Sequence, residues 1–297
     1  MEAPPQWFTD GCATPQDRGV VEVEGCHITY RAWGELGRPV VVLVHGGAAH
    51  AGWWDHIGPY LANGRHRVVA LDLSGHGDSG HRTDYDISTW ATEVLAVAAA
   101  QSDQPPTLVG HSMGGLVVLS AGSRTRTPLR GVVAVDIVAE SHGPGGLGPT
   151  PRPRGMVHRV HETREQALRR FRTLPDDEAS LTFVGHHLAA SSIKRVDGGW
   201  TWKFDLQIMS RPRMTLSDFA PVTCAAAVIR GERGLGSAED AQQLSLRLGP
   251  DVSVTTILDA GHHIMLDQPI ALIAALQSLL GQWGRSDQQD TTQDRTP

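Results

Sequence analysis

The chain has 297 residues and 40% hydrophobic content, which is enough for one large α/β core with an insertion or for two ordinary domains. A formal charge of -6 at pH 7, from 26 basic and 32 acidic residues, argues against nucleic acid and anionic membranes as partners. The longest apolar runs fall well short of the roughly 20 residues that a bilayer-spanning helix needs, so no membrane segment is expected.

The N-terminal arm, residues 1–17, lacks both a basic start and an apolar core. We therefore predict no secretory signal and a cytoplasmic location. The three cysteines, Cys12, Cys26 and Cys224, are odd in number and widely spaced, which argues against a disulfide framework or a zinc site.

Strand and helix signals alternate along most of the chain, as expected when parallel strands are joined by crossover helices. The first two strand-like runs, 20–24 and 27–33, predict an antiparallel pair. Short apolar or β-branched runs then predict six strands covered on both faces, at 40–44, 67–71, 107–109, 132–135, 225–229 and 252–257. Helical lengths and spacing occur at 90–101, 115–123, 238–248 and 270–283. One mostly parallel sheet is predicted.

The alternation breaks once, between about residues 141 and 217. Residues 143–153 are rich in Gly and Pro, and the residues after them show helical rather than strand patterning. We predict an α/β core over 18–140 and 218–284, with 141–217 inserted as a helical cap. Residues 285–297 have no apolar periodicity and are expected to form a mobile tail.

The predicted cap is rich in arginine. Because the chain has only two lysines, arginine carries most of its positive charge, and this favours a solvated helix face over an anion-binding surface. The arginines concerned are Arg152, Arg154, Arg159, Arg164, Arg169, Arg170 and Arg172.

A candidate nucleophile lies in the pentapeptide Gly110-His111-Ser112-Met113-Gly114. Its glycines leave room for a strained turn in which a helix starts almost on top of a strand and exposes the serine oxygen. G-x-S-x-G also arises by chance in a chain with 33 glycines. The apolar strand before it and the apolar helix after it favour a nucleophile elbow at Ser112.

A serine nucleophile needs a base within hydrogen-bond reach. His262 follows the last predicted strand and precedes a helix start, so its loop could bring it over the strand ends. His263 is the nearest rival, but it lacks a directly preceding glycine and is expected to contact the cap, the substrate pocket or solvent.

The orienting acid should lie between residues 112 and 262, at the C-terminal end of a strand. No aspartate follows the strand at 225–229, where the turn contains Glu232. Asp136 ends the preceding strand and is the favoured candidate, with Glu232 and then Asp240 as alternatives. Its role would be to hold the tautomer of His262 and to stabilise the imidazolium.

An oxyanion hole needs two backbone N–H groups. Met113, within the elbow, supplies one candidate, and Gly47, which follows the strand at 40–44, is favoured over Ala48 for the other. A tight turn is the structural alternative for that glycine pair.

Aromatic residues suggest the nature of the substrate pocket. Eight tryptophans against three tyrosines favour an apolar acyl or aromatic pocket, although core packing explains any single one equally well. The candidate pocket residues are Trp53, Trp54, Trp202 and His263.

With these residues in place, the chain resembles the α/β-hydrolase superfamily, in its lid-bearing serine esterase and C–C hydrolase-like branch. The resemblance covers about residues 18–284 and rests on His45-Gly46-Gly47, the loop at 71–79, the elbow at Ser112, and Gly261-His262. It implies an eight-stranded, mostly parallel sheet with helices on both faces, a helical cap, and a Ser-His-acid triad. It also implies that the loop containing Asp72 and His76 is structural.

The resemblance has one departure. Many members carry the acid three residues beyond the glycine after strand seven, where this chain has Gly234. Members with the acid after strand six match Asp136.

These residues predict a cofactor-free and metal-free serine hydrolase for an ester or lactone of an apolar or aromatic small molecule, acting through an acyl-enzyme. C–C bond hydrolysis of a diketone and amide hydrolysis are alternatives, because the same triad serves them. A catalytically silent ligand-binding protein is the alternative from a different class. A homodimer paired through the cap is one option for the oligomeric state.

Overall fold

The computed structural model describes residues 3–138, 159–176, 181–210 and 214–293, with side chains as far as residue 285. Its main feature is one eight-stranded sheet with the strand order β1-β2-β4-β3-β5-β6-β9-β10. Strand β2 is antiparallel to both neighbours, and the pairs from β4 to β10 are parallel. The strands are β1 (Asp17–Val23), β2 (Cys26–Trp33), β3 (Val40–Val44), β4 (Arg67–Leu71), β5 (Thr107–His111), β6 (Gly131–Val135), β9 (Ala225–Gly231) and β10 (Ser253–Ile257). A separate hairpin consists of β7 (Ile193–Val196) and β8 (Gly199–Trp202).

Helices follow most strands. They are α1 (Gln6–Ala13), α2 (Gly58–Ala62), α3 (Ile87–Ala99), α4 (Met113–Arg124), α5 (Arg164–Arg169), α6 (Thr182–Ser191), α7 (Ala238–Leu248), α8 (Ile264–Asp267) and α9 (Pro269–Gln293). Short 3-10 helices occur at Ala51–Trp54, Leu206–Ser210 and Leu216–Asp218. No helix in the described ranges is both long and apolar enough to cross a membrane.

The core lies on both faces of the sheet, as the continuous apolar runs predict. All five residues of β3 are buried. Because successive side chains of a strand point to opposite faces, Val40, Val42 and Val44 pack with α3, α4 and α7. Val41 and Leu43 pack with α1, α2 and α9 on the other face. The predicted α/β-hydrolase architecture, with helices on both faces of a mostly parallel sheet, is confirmed.

The segment between β6 and β9 differs from the helical prediction, because it also contains the β7–β8 hairpin. Ile193 and Val196 are β-branched, Trp200 and Trp202 are aromatic, and Gly198 in the turn has φ 84°. This is a hairpin signal that is too short to stand out within a helical segment. The Gly/Pro-rich stretch at 143–153 lies outside the described residues.

Helix α9 continues to Gln293, ten residues beyond the helix predicted at 270–283, so it enters the region predicted as a tail. No proline or further glycine follows Gly284 before Gln293, so nothing in the sequence stops the helix at the end of its apolar face. The N-terminal arm also carries a helix, α1, and its Phe8 is buried in the core.

The loop after β4 attaches the segment between β6 and β9 to the sheet. The Gly77 amide donates to the Lys203 carbonyl at 2.8 Å, and the Asp205 amide donates to the Gly75 carbonyl at 2.7 Å. The Lys203 ammonium lies 2.8 Å from the Asp78 carboxylate. These contacts place the end of the hairpin above the C-terminal edge of the sheet.

Candidate active site

The elbow places Ser112 between the end of β5 and the start of α4, with φ 53° and ψ -121°. A Cβ atom added at Gly114 would lie 2.5 Å from the carbonyl oxygens of both Val44 and His45. One added at Gly110 would lie 2.1 Å from the Gly114 carbonyl oxygen. Only glycine fits at these two positions, so α4 can begin directly against the strand ends and present the half-buried serine.

Three candidate catalytic residues meet at this point. The Ser112 hydroxyl lies 2.9 Å from Nε2 of His262, and Nδ1 of His262 lies 2.6 Å from Oδ2 of Asp136. His262 and Asp136 are almost completely buried. Because the carboxylate can only accept, Nδ1 carries the ring proton and leaves Nε2 to accept from the serine hydroxyl. This is the geometry that general-base activation of a serine requires.

Two backbone amides also hold the Asp136 carboxylate. Asp136 follows β6 with φ 43°. Its Oδ1 accepts from the Gly231 amide at 2.8 Å, and its Oδ2 accepts from the Leu235 amide at 3.0 Å. A Cβ atom at Gly234 would lie 1.9 Å from Oδ1 of Asp136. The missing side chain at residue 234 is therefore what makes room for a carboxylate that reaches across from the neighbouring strand.

The alternative acids lie elsewhere. Glu232 is exposed, and its carboxylate accepts from the Asp259 amide at 3.0 Å, which closes the turn after β10. Asp240 accepts from Ser237 at the start of α7, and these hydrogen bonds lower the pKa of Asp240. Both carboxylates have structural partners, and neither of these contacts involves His262.

Two further histidines surround the base. The rings of His111 and His263 each lie 4.7 Å, centroid to centroid, from the ring of His262. His111 donates from Nε2 to the His262 carbonyl at 3.0 Å, and His263 donates from Nε2 to the Pro175 carbonyl at 3.2 Å. Burial lowers the pKa of His111 well below 6.5 and that of His263 to about 4. Both rings stay neutral, so they position His262 without competing for the proton.

The same cluster is where a metal could be held. Ring nitrogens of His111, His262 and His263 lie within 4.8 Å of one another, the only such grouping in the described part of the chain. Because the nitrogens of His262 already bond Ser112 and Asp136, a metal ion would compete with the serine contact.

The loop after β3 is fixed by a histidine whose role the sequence did not reveal. Buried His45 donates from Nδ1 to the Gly46 carbonyl at 2.7 Å and accepts at Nε2 from the Leu73 amide at 3.1 Å. These bonds hold the backbone on which Gly47 lies, and a Cβ atom at Gly47 would be 3.7 Å from the Met113 sulfur. The two candidate oxyanion residues are therefore neighbours. The position of His45, directly before two glycines, was the available signal.

Asp72 lies behind that loop, completely enclosed by donors. Its carboxylate accepts from the amides of Ala51 and Asp78, at 2.6 and 2.9 Å, and from the Thr29 hydroxyl at 3.0 Å. It holds the start of the 3-10 helix that carries Trp53. This geometry fits the structural role that the resemblance implied.

A cavity of about 250 Å³ is bounded by this loop and by the segment between β6 and β9. From the core it is lined by Gly47, Ala48 and Trp53, and from the segment by both apolar residues and arginines. The lining residues from the segment are Arg159, Arg170, Phe171, Arg172, Thr173, Leu174, Ser192, Trp202, Phe204 and Leu206.

Two of the four predicted pocket residues line this cavity, Trp53 and Trp202. Trp54 does not, because it is fully buried in the core, and its pocket assignment needs correction. Consecutive side chains on a 3-10 helix point about 120° apart, so Trp53 and Trp54 could not both face the cavity. His263 lies behind Trp53, with ring centroids 5.3 Å apart.

Comparisons with known proteins agree with this fold. The model of the alpha/beta hydrolase family matches residues 41–276. An esterase of Mycobacterium tuberculosis is 26% identical over 279 residues, covering 88% of this chain and 89% of the relative. A monoacylglycerol lipase of Mycolicibacterium smegmatis is 34% identical over 120 residues, which are 38% of this chain and 43% of the relative. The thioesterase domain from the curacin biosynthetic pathway superposes with a TM-score of 0.74 at 21% identity, covering 89% of this chain and 99% of that domain.

Proposed function

Because this chain belongs to the alpha/beta hydrolase family, we propose that it hydrolyses carboxylic esters or lactones through Ser112, His262 and Asp136. Relatives named as an esterase and a lipase support ester bonds as the target. The observation that carries the proposal is His262, which contacts the serine hydroxyl with one ring nitrogen and a buried carboxylate with the other.

The proposed reaction has two halves. His262 takes the hydroxyl proton as Ser112 attacks the ester carbonyl, and the amides of Gly47 and Met113 donate to the oxyanion. Asp136 stabilises the imidazolium, which then gives its proton to the departing alcohol. Water, deprotonated by His262, attacks the acyl-enzyme, and collapse of the second intermediate returns the proton to Ser112 and releases the acid.

The cavity supports an apolar or aromatic substrate. Trp53, Trp202 and Phe204 supply aromatic surface, and about 250 Å³ accommodates a small organic molecule. An aromatic wall next to the oxyanion loop can hold an acyl chain or an aryl ring against the serine. A lactone satisfies the same requirements, because ring opening would leave its alcohol on the acyl-enzyme.

Covalent labelling with a fluorophosphonate probe tests the nucleophile. We expect one modified residue, Ser112, and no labelling in Ser112→Ala or His262→Ala. Ser123→Ala, which changes a serine at the other end of α4, should label like the wild type. Labelling that persists in Ser112→Ala would refute the assignment.

A substrate panel tests the bond type. We expect turnover of aryl esters and lactones to exceed that of the matched anilides and diketones. Faster cleavage of the anilide or the diketone would assign the same triad to amide or C–C bonds. Binding of the compounds with no turnover of any of them would indicate a silent ligand-binding protein.

A further inference from the structure

Three arginines line the candidate substrate cavity, and we call Arg159, Arg170 and Arg172 the arginine rim. We propose that the arginine rim binds an anionic group, a carboxylate or a phosphate, carried by the ester substrate away from its scissile bond. The inference rests on the proposed function and adds a substrate class to it. It also revises the interpretation of these side chains as only a solvated face.

The charge of the lining supports this assignment. Apart from the arginine rim, the residues that line the cavity are apolar, or neutral like Thr173 and Ser192, and no acid of the described chain lines it. An uncharged ester would need no cations there. The cavity therefore combines an aromatic wall with charged residues that are all positive.

The rim arginines are also poorly paired compared with other arginines of this chain. Arg31 and Arg82 have carboxylates at 2.8 and 2.9 Å, and their side chains are mostly buried. Nε of Arg172 lies 3.9 Å from the carboxylate of Asp176, and both side chains are more than 60% exposed. An exposed pair at that distance contributes little. Nη1 of Arg172 donates to the carbonyls of Arg169 and Phe171, at 3.2 and 2.6 Å, which leaves Nη2 as the group that would meet an anion. Within the described ranges, Arg159 and Arg170 have no ion pair.

A histidine next to the cavity wall responds to this charge. His161 is buried with its ring 4.9 Å from that of Trp202, which lines the cavity. Burial lowers the pKa of His161, and positive charge from Arg170 and Arg159 lowers it further. The positive charge of Arg170 and Arg159 thus acts on a ring that packs against Trp202.

The position of the arginine rim indicates which part of the substrate it would contact. Gly47, a candidate oxyanion residue, and Trp53 line the cavity from the core, whereas all three arginines come from residues 159–172. The guanidinium fork matches the two oxygens of a carboxylate or phosphate, which it can bind through two parallel hydrogen bonds. An ester with an anionic group at the end of its acyl chain would place its carbonyl beside Gly47 and the anion beside the arginine rim.

Matched substrates test the proposal. 4-Nitrophenyl octanoate is neutral, its octanedioate monoester ends in a carboxylate, and its 8-phosphonooxyoctanoate ends in a phosphate. We expect kcat/KM for an anionic ester to exceed that for the neutral ester about tenfold, the scale of one charge-assisted hydrogen bond. Whichever anion gives the larger ratio identifies the group. About 0.5 M NaCl should reduce the ratio, because salt screens exposed charges.

Variants locate the effect. Arg159→Gln, Arg170→Gln and Arg172→Gln, singly and combined, should raise KM for the anionic ester and remove its advantage in kcat/KM over the neutral ester. Arg169→Gln is the control, because Arg169 is exposed on α5 but does not line the cavity. Equal rates for neutral and anionic esters in the wild type, or an equal loss in Arg169→Gln, would overturn the inference.

A binding measurement separates this inference from the proposed function. Monomethyl octanedioate, which carries a terminal carboxylate, should quench the tryptophan fluorescence of the Ser112→Ala variant at lower concentration than the neutral methyl octanoate. This difference should vanish when the three rim substitutions are added. A persistent difference, or none at the start, would refute the arginine rim. Because the readout needs no turnover, failed hydrolysis would count only against the proposed reaction.

Discussion

At the scale of single residues, the position of a carboxylate depends on the space that neighbouring side chains leave for it. Asp136 accepts two backbone amides and contacts His262, and it fits there because Gly234 has no side chain. Glu232 is closer in sequence to the usual position of the acid, but its carboxylate accepts from the Asp259 amide. The chemistry assigned to an acid therefore follows from its contacts rather than from its place in the chain.

Replacing the acids tests this assignment. Asp136→Asn should lower kcat by about ten-thousand-fold, because the amide favours the wrong tautomer of His262. Glu232→Gln should leave kcat nearly unchanged. Steady-state kinetics with an aryl ester measures both, and the opposite order of effects would reject Asp136.

Gly234→Ala tests the space beside the carboxylate. The new methyl group would overlap Oδ1 of Asp136, and displacing a catalytic group by about 1 Å can cost on the order of a hundredfold in rate. Gly236→Ala is the matched control, because its Cβ would lie 3.2 Å from the nearest atom, the Ile137 carbonyl oxygen. Comparable kcat values in the two variants would contradict the steric argument.

At the scale of elements, the hairpin region depends on the loop after β4. Asp205 accepts from the Tyr85 hydroxyl at 2.9 Å, from the His81 ring at 3.1 Å and from the Gln207 amide at 2.9 Å. It thus connects the segment that carries Trp202 to the core. Together with the backbone contacts of Lys203 and Asp205, this connection holds one wall of the cavity in place.

Asp205→Ala should weaken that connection. Losing three acceptor contacts should lower the free energy of unfolding by about 1 to 3 kcal/mol, because donors are left without a partner. Asp197→Ala, in the exposed turn of the hairpin, should change it by less than about 0.5 kcal/mol. Urea denaturation gives both values, and limited proteolysis should cut the 159–210 region earlier in Asp205→Ala. Equal stability of the two variants would contradict this role.

At the scale of the whole molecule, buried histidines link stability to pH in both directions. Burial lowers the pKa values of His50, His56 and His263 to about 4. A hydrogen bond to Asp55 is the main reason that the pKa of His187 is raised to about 9. The folded state therefore favours the neutral ring of His50, His56 and His263 and the charged ring of His187.

The expected stability profile follows from these signs. Between pH 6.5 and 4 these histidines are protonated in the unfolded chain but stay neutral in the folded state. The free energy of unfolding therefore falls as the pH is lowered. Each histidine contributes a slope of at most about 1.4 kcal/mol per pH unit. The contribution of His187 is complete below pH 6.5 and is lost as the pH rises towards 9.

Thermal unfolding across this range measures the effect. The melting temperature should be highest near pH 6.5 and fall on both sides. His187→Gln should flatten the alkaline side only, whereas the exposed His186→Gln should leave the profile unchanged. An alkaline decline that persists in His187→Gln would show that another group causes it.

Local patterns in the sequence accounted for most of the fold. Short β-branched runs, buried on both faces, predicted the parallel strands, because covered strands leave a continuous apolar signal. The β7–β8 hairpin and the extension of α9 were missed. Four-residue strands and a polar helix end leave too little periodicity to recognise.

The sequence alone determined the sheet class, the elbow at Ser112 and the placing of His262 after the last strand, because each depends on neighbouring residues or on chain order. Only the tertiary structure decided that Asp136 meets His262, that Trp53 rather than Trp54 faces the cavity, and that three arginines line it. Those outcomes depend on distances and directions between segments that are far apart in the chain, and no local pattern encodes them.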